Sequence, residues 1–386
     1  MLSLRLARGA HPLVQLRRLL VAAASGGTGF LLLCTLGHAM GHPDASGGSL
    51  LRLAWCAIPL AATVYFAVAV ARSDPGTKPR TGLSAVGLGP ARLTLLSAIS
   101  TAIACTLGSM LALLFFLHLR GDLSGLPFDG AARDLLAARK PLPLAAALTL
   151  LTFVPVAASA ASAVVLRPRA KKPGEAEEDL PGPSPAPTGL PWGIALLAAG
   201  LAVETYASHA RGDRGLPMPG GLDGSSSGVL AGWALTALGL ALAGPALTYH
   251  CGRALQAVRP GAVRLLAGRV LQEEARRIGV PLGVLCAVAS GTYAAVALYA
   301  DAGPELGPLS TLGSVLVVGC VVATLITAAV EARQARSDTT AALLRLGAPA
   351  TMLRAAAALR VGALFALFAP LTWAVAELSA IPLIPR

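Results

Sequence analysis

Long apolar segments separated by short polar ones recur along the whole chain. Nine of these segments are about 20 residues long or longer, which is the length that a helix needs to cross the hydrocarbon core of a bilayer. The pattern therefore predicts an all-α, multi-pass membrane protein with about nine transmembrane helices. We place the spans at residues 19–40, 50–71, 93–119, 142–166, 190–208, 228–251, 278–300, 310–330 and 355–378.

The composition agrees with this pattern. Hydrophobic residues make up 55% of the chain and charged residues only 13%, whereas a soluble domain carries about a quarter charged residues. The net charge of +12 is open to two interpretations, a nucleic-acid partner or an excess of Arg and Lys in cytoplasmic loops. We favour the second, because the basic residues fall in short loops between spans, and we expect membrane lipid rather than nucleic acid as a partner.

The distribution of Arg and Lys predicts the orientation. Basic residues are concentrated at the N-terminus and in segments 72–92, 167–189, 253–277 and 331–354, and such segments stay on the cytoplasmic side. With nine spans, the N-terminus is then cytoplasmic and the C-terminus extracytoplasmic. The basic start followed by an apolar run is also typical of a secretory signal, but we interpret it as an uncleaved first span.

Two polar segments at matching places point to an internal repeat. Residues 72–93 and 331–354 both separate two apolar runs, and Gly87 aligns with Gly347 at an offset of 260 residues. Residues 4–33 and 265–298 are also similar, each with a double Arg before its apolar run. We therefore predict two membrane units of like topology. The predicted parts are residues 1–166, a disordered cytoplasmic linker 167–189, a linker helix pair 190–251, and a second unit 252–386 that lacks its last span.

Few residues of the chain suggest a catalytic, cofactor or metal site. The chain has no P-loop, nucleophile-elbow or H-E-x-x-H pattern, so we expect no enzyme, no cofactor and no metal site. His38 and His42 would suit a metal, but we favour interfacial histidines. Glu204 is the one acidic residue well inside a span, where an ionisable group suggests a functional site. We favour instead a carboxylate that reaches water or Arg211 at the end of its span.

The run ARQARSDTTAALLRLGAPATMLRAAAALRVGAL, residues 332–364, resembles the C-terminal signature of FtsX-like (MacB-like) ABC transporter permeases. In that family a charged helix precedes the third span of a four-span unit. Residues 342–349 match its motif, with Pro349 one place early. The chain departs from the family in two ways: only residues 41–49 stand where a large extracytoplasmic domain is usual, and the second unit lacks its final span.

The resemblance implies a permease subunit in the plasma membrane of a bacterium, which works with a separate cytoplasmic ABC ATPase dimer. It implies export or extraction of a hydrophobic or amphipathic substrate (a lipid, a peptide or an antibiotic) or transmembrane signalling. The residues it assigns to docking of the ATPase are Arg80, Gly87 and Arg92 in the first copy and Arg336, Asp338, Leu343, Leu344, Arg345, Leu346 and Gly347 in the second.

Other interpretations stay open at this point. The polar segments are also typical of amphipathic helices that lie on lipid headgroups. The whole chain is also compatible with a degenerate permease that acts as a membrane scaffold or regulator, or with an ATP-independent secondary transporter.

Overall fold

The computed structural model describes residues 12–74, 90–123, 130–133, 136–167, 186–209, 216–218, 222–225, 227–257, 261–299 and 307–380. Within these ranges all regular structure is α-helical except for one antiparallel pair of short strands, β1 (Leu216–Met218) and β2 (Leu222–Ser225). The predicted all-α class is confirmed. The helices are α1 (Pro12–Gly41), α2 (Ser46–Trp55), α3 (Ala57–Ser73), α4 (Pro90–Arg120), α5 (Leu144–Val165), α6 (Leu190–His209), α7 (Ser227–Ala257), α8 (Ala262–Tyr299), α9 (Pro308–Ala335), α10 (Ser337–Arg345) and α11 (Ala350–Ala380).

Nine helical stretches in the described part of the chain are long and apolar enough to cross a membrane. Seven are single helices, and the other two are α2 with α3 and α9 with α10. The stretches contain the spans predicted from hydropathy, apart from a few residues at the span ends. The chain is therefore a multi-pass membrane protein.

Many small and hydroxyl-bearing side chains of the helices are buried, and many large apolar side chains are exposed. On α4, Cys105 and Ser109 are buried, whereas Leu107 and Leu111 are exposed. A soluble core would show the reverse arrangement. Helices in lipid pack through small residues, because lipid tails are as apolar as the large side chains that face them.

The chain divides into two compact units by internal contacts. Unit 1 comprises Met1–Lys171 and Leu306–Thr324, and unit 2 comprises Lys172–Glu305 and Leu325–Arg386. Unit 1 thus holds α1 to α5 with the first part of α9, and unit 2 holds α6 to α8, the rest of α9, α10 and α11. The boundaries of the sequence repeat stay a prediction.

In unit 1, α1 packs against α3, α4 and α5. Ser25 Oγ on α1 donates a hydrogen bond of 2.8 Å to the carbonyl oxygen of Cys105 on α4. One residue further, α1 crosses α4 so closely that a Cβ atom added to Gly26 would lie 3.1 Å from the carbonyl oxygen of Gly108. Glycine is needed here because the two backbones touch.

In unit 2, α7 packs against both α6 and α8. A Cβ atom added to Gly193 on α6 would lie 2.6 Å from the backbone nitrogen of Ala243 on α7. On the other side, a Cβ atom added to Gly279 on α8 would lie 2.6 Å from the backbone nitrogen of Pro245. Glycines therefore set both helix–helix distances, and α11 completes the unit by packing against α8.

The offset of the predicted repeat relates one helix crossing in unit 1 to one helix contact in unit 2. In unit 1 this crossing brings Gly26 of α1 next to Gly108 of α4. In unit 2, Cys286 Sγ of α8 lies 4.0 Å from the carbonyl oxygen of Phe368 on α11. Cys286 and Phe368 each lie 260 residues after their counterparts, which is the offset that relates Gly87 to Gly347.

The segment after α4, predicted to be extracytoplasmic, folds back over the end of this helix. Arg120 is buried and donates hydrogen bonds to the carbonyl oxygens of Ala137 and Lys140. Lys140 Nζ in turn donates a hydrogen bond of 2.6 Å to the carbonyl oxygen of Met40 in α1. The described part of this loop is thus fastened to the ends of two helices.

Candidate functional site

The segment predicted to dock an ATPase consists of the end of α9, the short helix α10 and the turn before α11. The single residue Arg336 separates α9 from α10, and its N–H donates to the carbonyl oxygen of Arg333 at 3.3 Å. The carbonyl oxygen of Arg336 then accepts from the N–H of Thr340 at 2.8 Å, which begins α10. Asp338 lies in the first turn of α10, where a negative charge interacts favourably with the helix dipole.

Gly347 closes α10 at its C-terminal end. Its φ is +88°, a left-handed conformation that glycine adopts without steric cost. The N–H of Gly347 donates to the carbonyl oxygen of Leu344 at 3.1 Å, and the N–H of Ala348 donates to that of Leu343 at 3.0 Å. This pair of bonds is a Schellman motif. The helix therefore ends at the turn that contains Gly347.

The apolar side chains of α10 are not buried against the rest of the described chain. No residue of α10 is buried. Leu344 is exposed, Leu343 is half-buried, and Leu346, directly after the helix, is 84% exposed. Arg345 is exposed between them. The predicted docking residues of the second copy thus lie on one short segment, most of which is accessible.

An ion pair anchors the beginning of this segment. Arg336 Nη1 lies 2.7 Å from Glu274 Oε1 on α8, and the two side chains are only 26% and 10% exposed. Sequence reasoning missed Glu274 as a partner, although its LQEEARR stretch lies just before the apolar run of α8. The charge of Arg360 on α11 acts on both Glu274 and Arg336. Three helical elements therefore place charged groups at one point.

Unit 1 has an ion pair at the corresponding place. Arg18 Nη2 on α1 lies 2.6 Å from Oδ2 of Asp74, the residue that follows α3. Arg17 donates a hydrogen bond of 3.1 Å to Ser73 Oγ beside it. Each ion pair thus joins a long helix, α1 or α8, to a residue that directly follows another helix, α3 or α9. The charges are reversed: α1 supplies the Arg of its pair, and α8 supplies the Glu.

A small cleft lies beside the Arg18–Asp74 pair, with space for about one water molecule. Ser97, Ser100 and Thr101 of α4 line it. Ser100 is the residue 260 positions before Arg360. Unit 1 therefore has a hydroxyl group at the position where unit 2 has a third charged side chain.

Only part of the first copy of the docking segment lies within the described residues. Arg80 and Gly87 lie outside the described residues. Arg92 lies in the first turn of α4 and is exposed. The predicted docking residues of the second copy are therefore all described, whereas only Arg92 is described in the first copy.

The expectation that Glu204 reaches water is wrong. Its side chain is 1% exposed, and Thr236 Oγ1 of α7 donates a hydrogen bond of 3.0 Å to its Oε1. The hydroxyl group of Ser379 on α11 is also near this carboxyl group, and Oε2 has no hydrogen-bond partner among the described residues. The reason is the close approach of α6 and α7 at Gly200 and Gly232, which encloses the carboxyl group between the helices.

His38 and His42 stack, with their ring centroids 4.3 Å apart. His42 Nδ1 lies 3.2 Å from the carbonyl oxygen of His38. No group of three His, Cys, Asp or Glu side chains that could share a metal ion occurs among the described residues. The pair is explained by packing at the end of α1.

Comparison of the chain with protein-family models, with curated proteins and with solved structures finds no match. The resemblance to FtsX-like permeases rests on residues 332–364 and on the repeat. The family assignment therefore stays a prediction.

Proposed function

We propose that this chain is the permease subunit of an ABC transporter and that α10 docks a separate cytoplasmic ATPase. The observation that carries the proposal is the construction of the α10 segment. It is short, exposed and closed by Gly347, and an ion pair from Arg336 to Glu274 anchors its start to α8. An accessible helix that is firmly held at both ends suits the transfer of force from a partner to the spans.

The contacts of the segment define how such a force would be transmitted. Arg336 connects the start of α10 to α8 through Glu274, and Gly347 connects its end to α11. The helices α8 and α11 pack against each other and meet at Cys286 and Phe368. A displacement of α10 would therefore act on two packed spans together.

The repeat explains how one chain would serve an ATPase dimer. A dimer offers two equivalent docking surfaces, and the chain carries two segments between a second and a third span. Asp74, at the start of the first segment, is held by Arg18 as Arg336 is held by Glu274. The first docking residues are then Arg80, Gly87 and Arg92, and the substrate is a hydrophobic or amphipathic lipid, peptide or antibiotic.

The test is co-purification from native membranes with the double substitution Leu343→Asp and Leu344→Asp. We expect the wild-type chain to retain a protein that has a P-loop and hydrolyses ATP, and the variant to lose it. The matched control is Thr339→Asp with Thr340→Asp. It adds the same two charges to exposed positions of α10, in or near the first turn, where the helix dipole tolerates them.

Three outcomes would count against the proposal. If the ATPase stays bound to the leucine variant, α10 is not the docking helix. If no P-loop protein accompanies the wild-type chain, the permease assignment fails. The last outcome has two parts: a peptide of residues 331–354 binds lipid vesicles, and the ATPase co-purifies equally with the wild type and the leucine variant. The segment would then lie on lipid headgroups.

An ATP-independent secondary transporter is the second candidate, and one observation favours it. Glu204 is a carboxyl group enclosed inside a membrane unit, and such groups commonly serve ion or proton pathways. This reading predicts substrate transport by the chain alone in proteoliposomes under a pH gradient, abolished by Glu204→Gln. Transport that requires ATP and the ATPase would exclude it, and ATPase binding without any transport would favour a scaffold or regulator.

A further inference from the structure

We propose that Arg336 and Arg360 form a binding site for the phosphate group of an anionic lipid. The first argument is a charge imbalance. Arg336 lies 2.7 Å from Glu274, and Arg360 is close enough for its charge to act on both groups. Two guanidinium groups thus share one carboxylate, which leaves one positive charge uncompensated.

The second argument concerns hydrogen bonding. Nη1 of Arg360 is buried, and no acceptor among the described residues reaches it with hydrogen-bond geometry. Nη1 of Arg336 is close to Glu274 but is also not aligned for a hydrogen bond. A buried donor without an acceptor is costly. Phosphate oxygens fit this requirement, because they match the planar fork of donors on a guanidinium group.

The neighbouring charges do not remove the imbalance. Arg277 and Glu273 of α8 also act on Glu274. However, Glu273 lies 3.6 Å from Arg269 and is paired with it. Among the described residues, the charges of Arg277, Arg336 and Arg360 thus all act on Glu274, so an anion is attracted to this place.

The location favours a lipid over a soluble anion. Glu274 and Arg277 come just before the apolar run of α8, and Arg336 follows that of α9. The cluster therefore lies at the boundary between polar segments and spans, where lipid phosphates lie. Next to Arg360 on α11, the apolar side chains of Val361 and Phe365 are exposed. They give an acyl chain a surface beside the headgroup.

The test is native mass spectrometry of the full-length chain, purified in detergent and mixed with phosphatidylglycerol or phosphatidylcholine. We expect the wild type to retain one phosphatidylglycerol under activation that removes phosphatidylcholine. Arg360→Gln and Arg336→Gln should each reduce this retention about tenfold, because each removes a charge-assisted contact. Arg354→Gln is the matched control, since Arg354 is exposed on the same helix, and should retain the lipid.

Glu274→Gln separates a lipid site from an internal ion pair. It removes the carboxylate that, within the described part of the chain, competes with phosphate for the two guanidinium groups, so lipid retention should rise. Arg360→Lys keeps the charge and should restore part of the binding that Arg360→Gln loses. Circular dichroism shows whether each variant is folded, and the Glu274→Gln result decides the question even if the arginine variants are not.

Two results would overturn the proposal. One is equal retention of phosphatidylglycerol by the wild type, Arg336→Gln, Arg360→Gln and Glu274→Gln. The other is that inorganic phosphate raises the unfolding temperature of the wild type but not of Arg360→Gln, while phosphatidylglycerol is not retained. The anion would then be a free phosphate and not a lipid.

Discussion

Arg336 and Glu274 lie 62 residues apart in the chain, and their side-chain atoms Nη1 and Oε1 are 2.7 Å apart. The contact joins the residue before α10 to the helix of the seventh span. Arg18 and Asp74 make the corresponding contact in unit 1 at 2.6 Å, with the charges exchanged. Both contacts thus join a long helix to a residue that directly follows another helix.

The first prediction uses the exchange of charges. Arg336→Glu and Glu274→Arg should each destabilise unit 2, because each places like charges in contact. The double variant should recover stability, with a coupling energy of about 1–3 kcal/mol. Unfolding in mixed micelles with increasing denaturing detergent measures the free energy for all four proteins.

The pair in unit 1 is the comparison. Arg18 and Asp74 are 39% and 17% exposed, so solvent weakens their attraction. Asp74→Asn should therefore cost only about 0.5 kcal/mol. Additive effects of Arg336→Glu and Glu274→Arg would show that the contact in unit 2 does not contribute to stability.

The second prediction concerns the end of α10. Gly347→Ala should cost about 1 kcal/mol, because alanine is strained at a φ of +88°. A Cβ atom there would meet no atom within 4 Å, so the cost comes from the backbone alone. Amide hydrogen exchange of residues 337–346 should accelerate about fivefold, while exchange in the other helices stays unchanged.

Gly362→Ala is the control for that substitution. Gly362 lies inside α11 with equally open space around it, and alanine is a better helix former than glycine. This change should leave exchange in α10 unaffected and should stabilise α11 slightly. Unchanged exchange of residues 337–346 in Gly347→Ala would contradict the role of the Schellman motif.

The third prediction tests the packing of α7 against α8. A Cβ atom added to Gly283 would overlap the carbonyl oxygen of Leu240, so the two helices would have to move apart. Gly283→Ala should lower the free energy of unfolding by about 1–3 kcal/mol. Gly291→Ala on the same helix meets nothing within 4 Å and should be neutral or slightly stabilising. Similar unfolding of both variants would show that the close approach is unimportant.

The fourth prediction concerns the buried carboxyl group. Glu204→Gln should unfold like the wild type, because the amide has the same shape and its oxygen accepts the hydrogen bond from Thr236. Glu204→Ala should lose about 2–4 kcal/mol through the cavity that it leaves. Thr236→Val should lose about 1 kcal/mol with the hydrogen bond. If Glu204→Ala were as stable as the wild type, the carboxyl group would not hold α6, α7 and α11 together.

Much of the architecture could be predicted from the sequence. Span number and the all-α class follow from the length and hydropathy of each segment, which are local properties. The break at Gly347 also has a local cause, since the conformation of one glycine ends α10. The offset of 260 residues also relates Gly26 and Gly108, where α1 crosses α4, to Cys286 and Phe368, where α8 meets α11, but the repeat stays a prediction.

The sequence by itself determined which segments are long enough and apolar enough to be transmembrane helices. Only the tertiary structure decided which side chains meet. Glu274 could not be matched with Arg336, because charge pairing across 62 residues depends on how α8 and α9 are rotated. Glu204 was predicted to reach water, since hydropathy does not reveal that glycines bring α6 and α7 close enough to enclose it. Helix formation depends on neighbouring residues and can be predicted from the sequence. Side-chain contacts depend on the distances and rotations between helices, which only the tertiary structure gives.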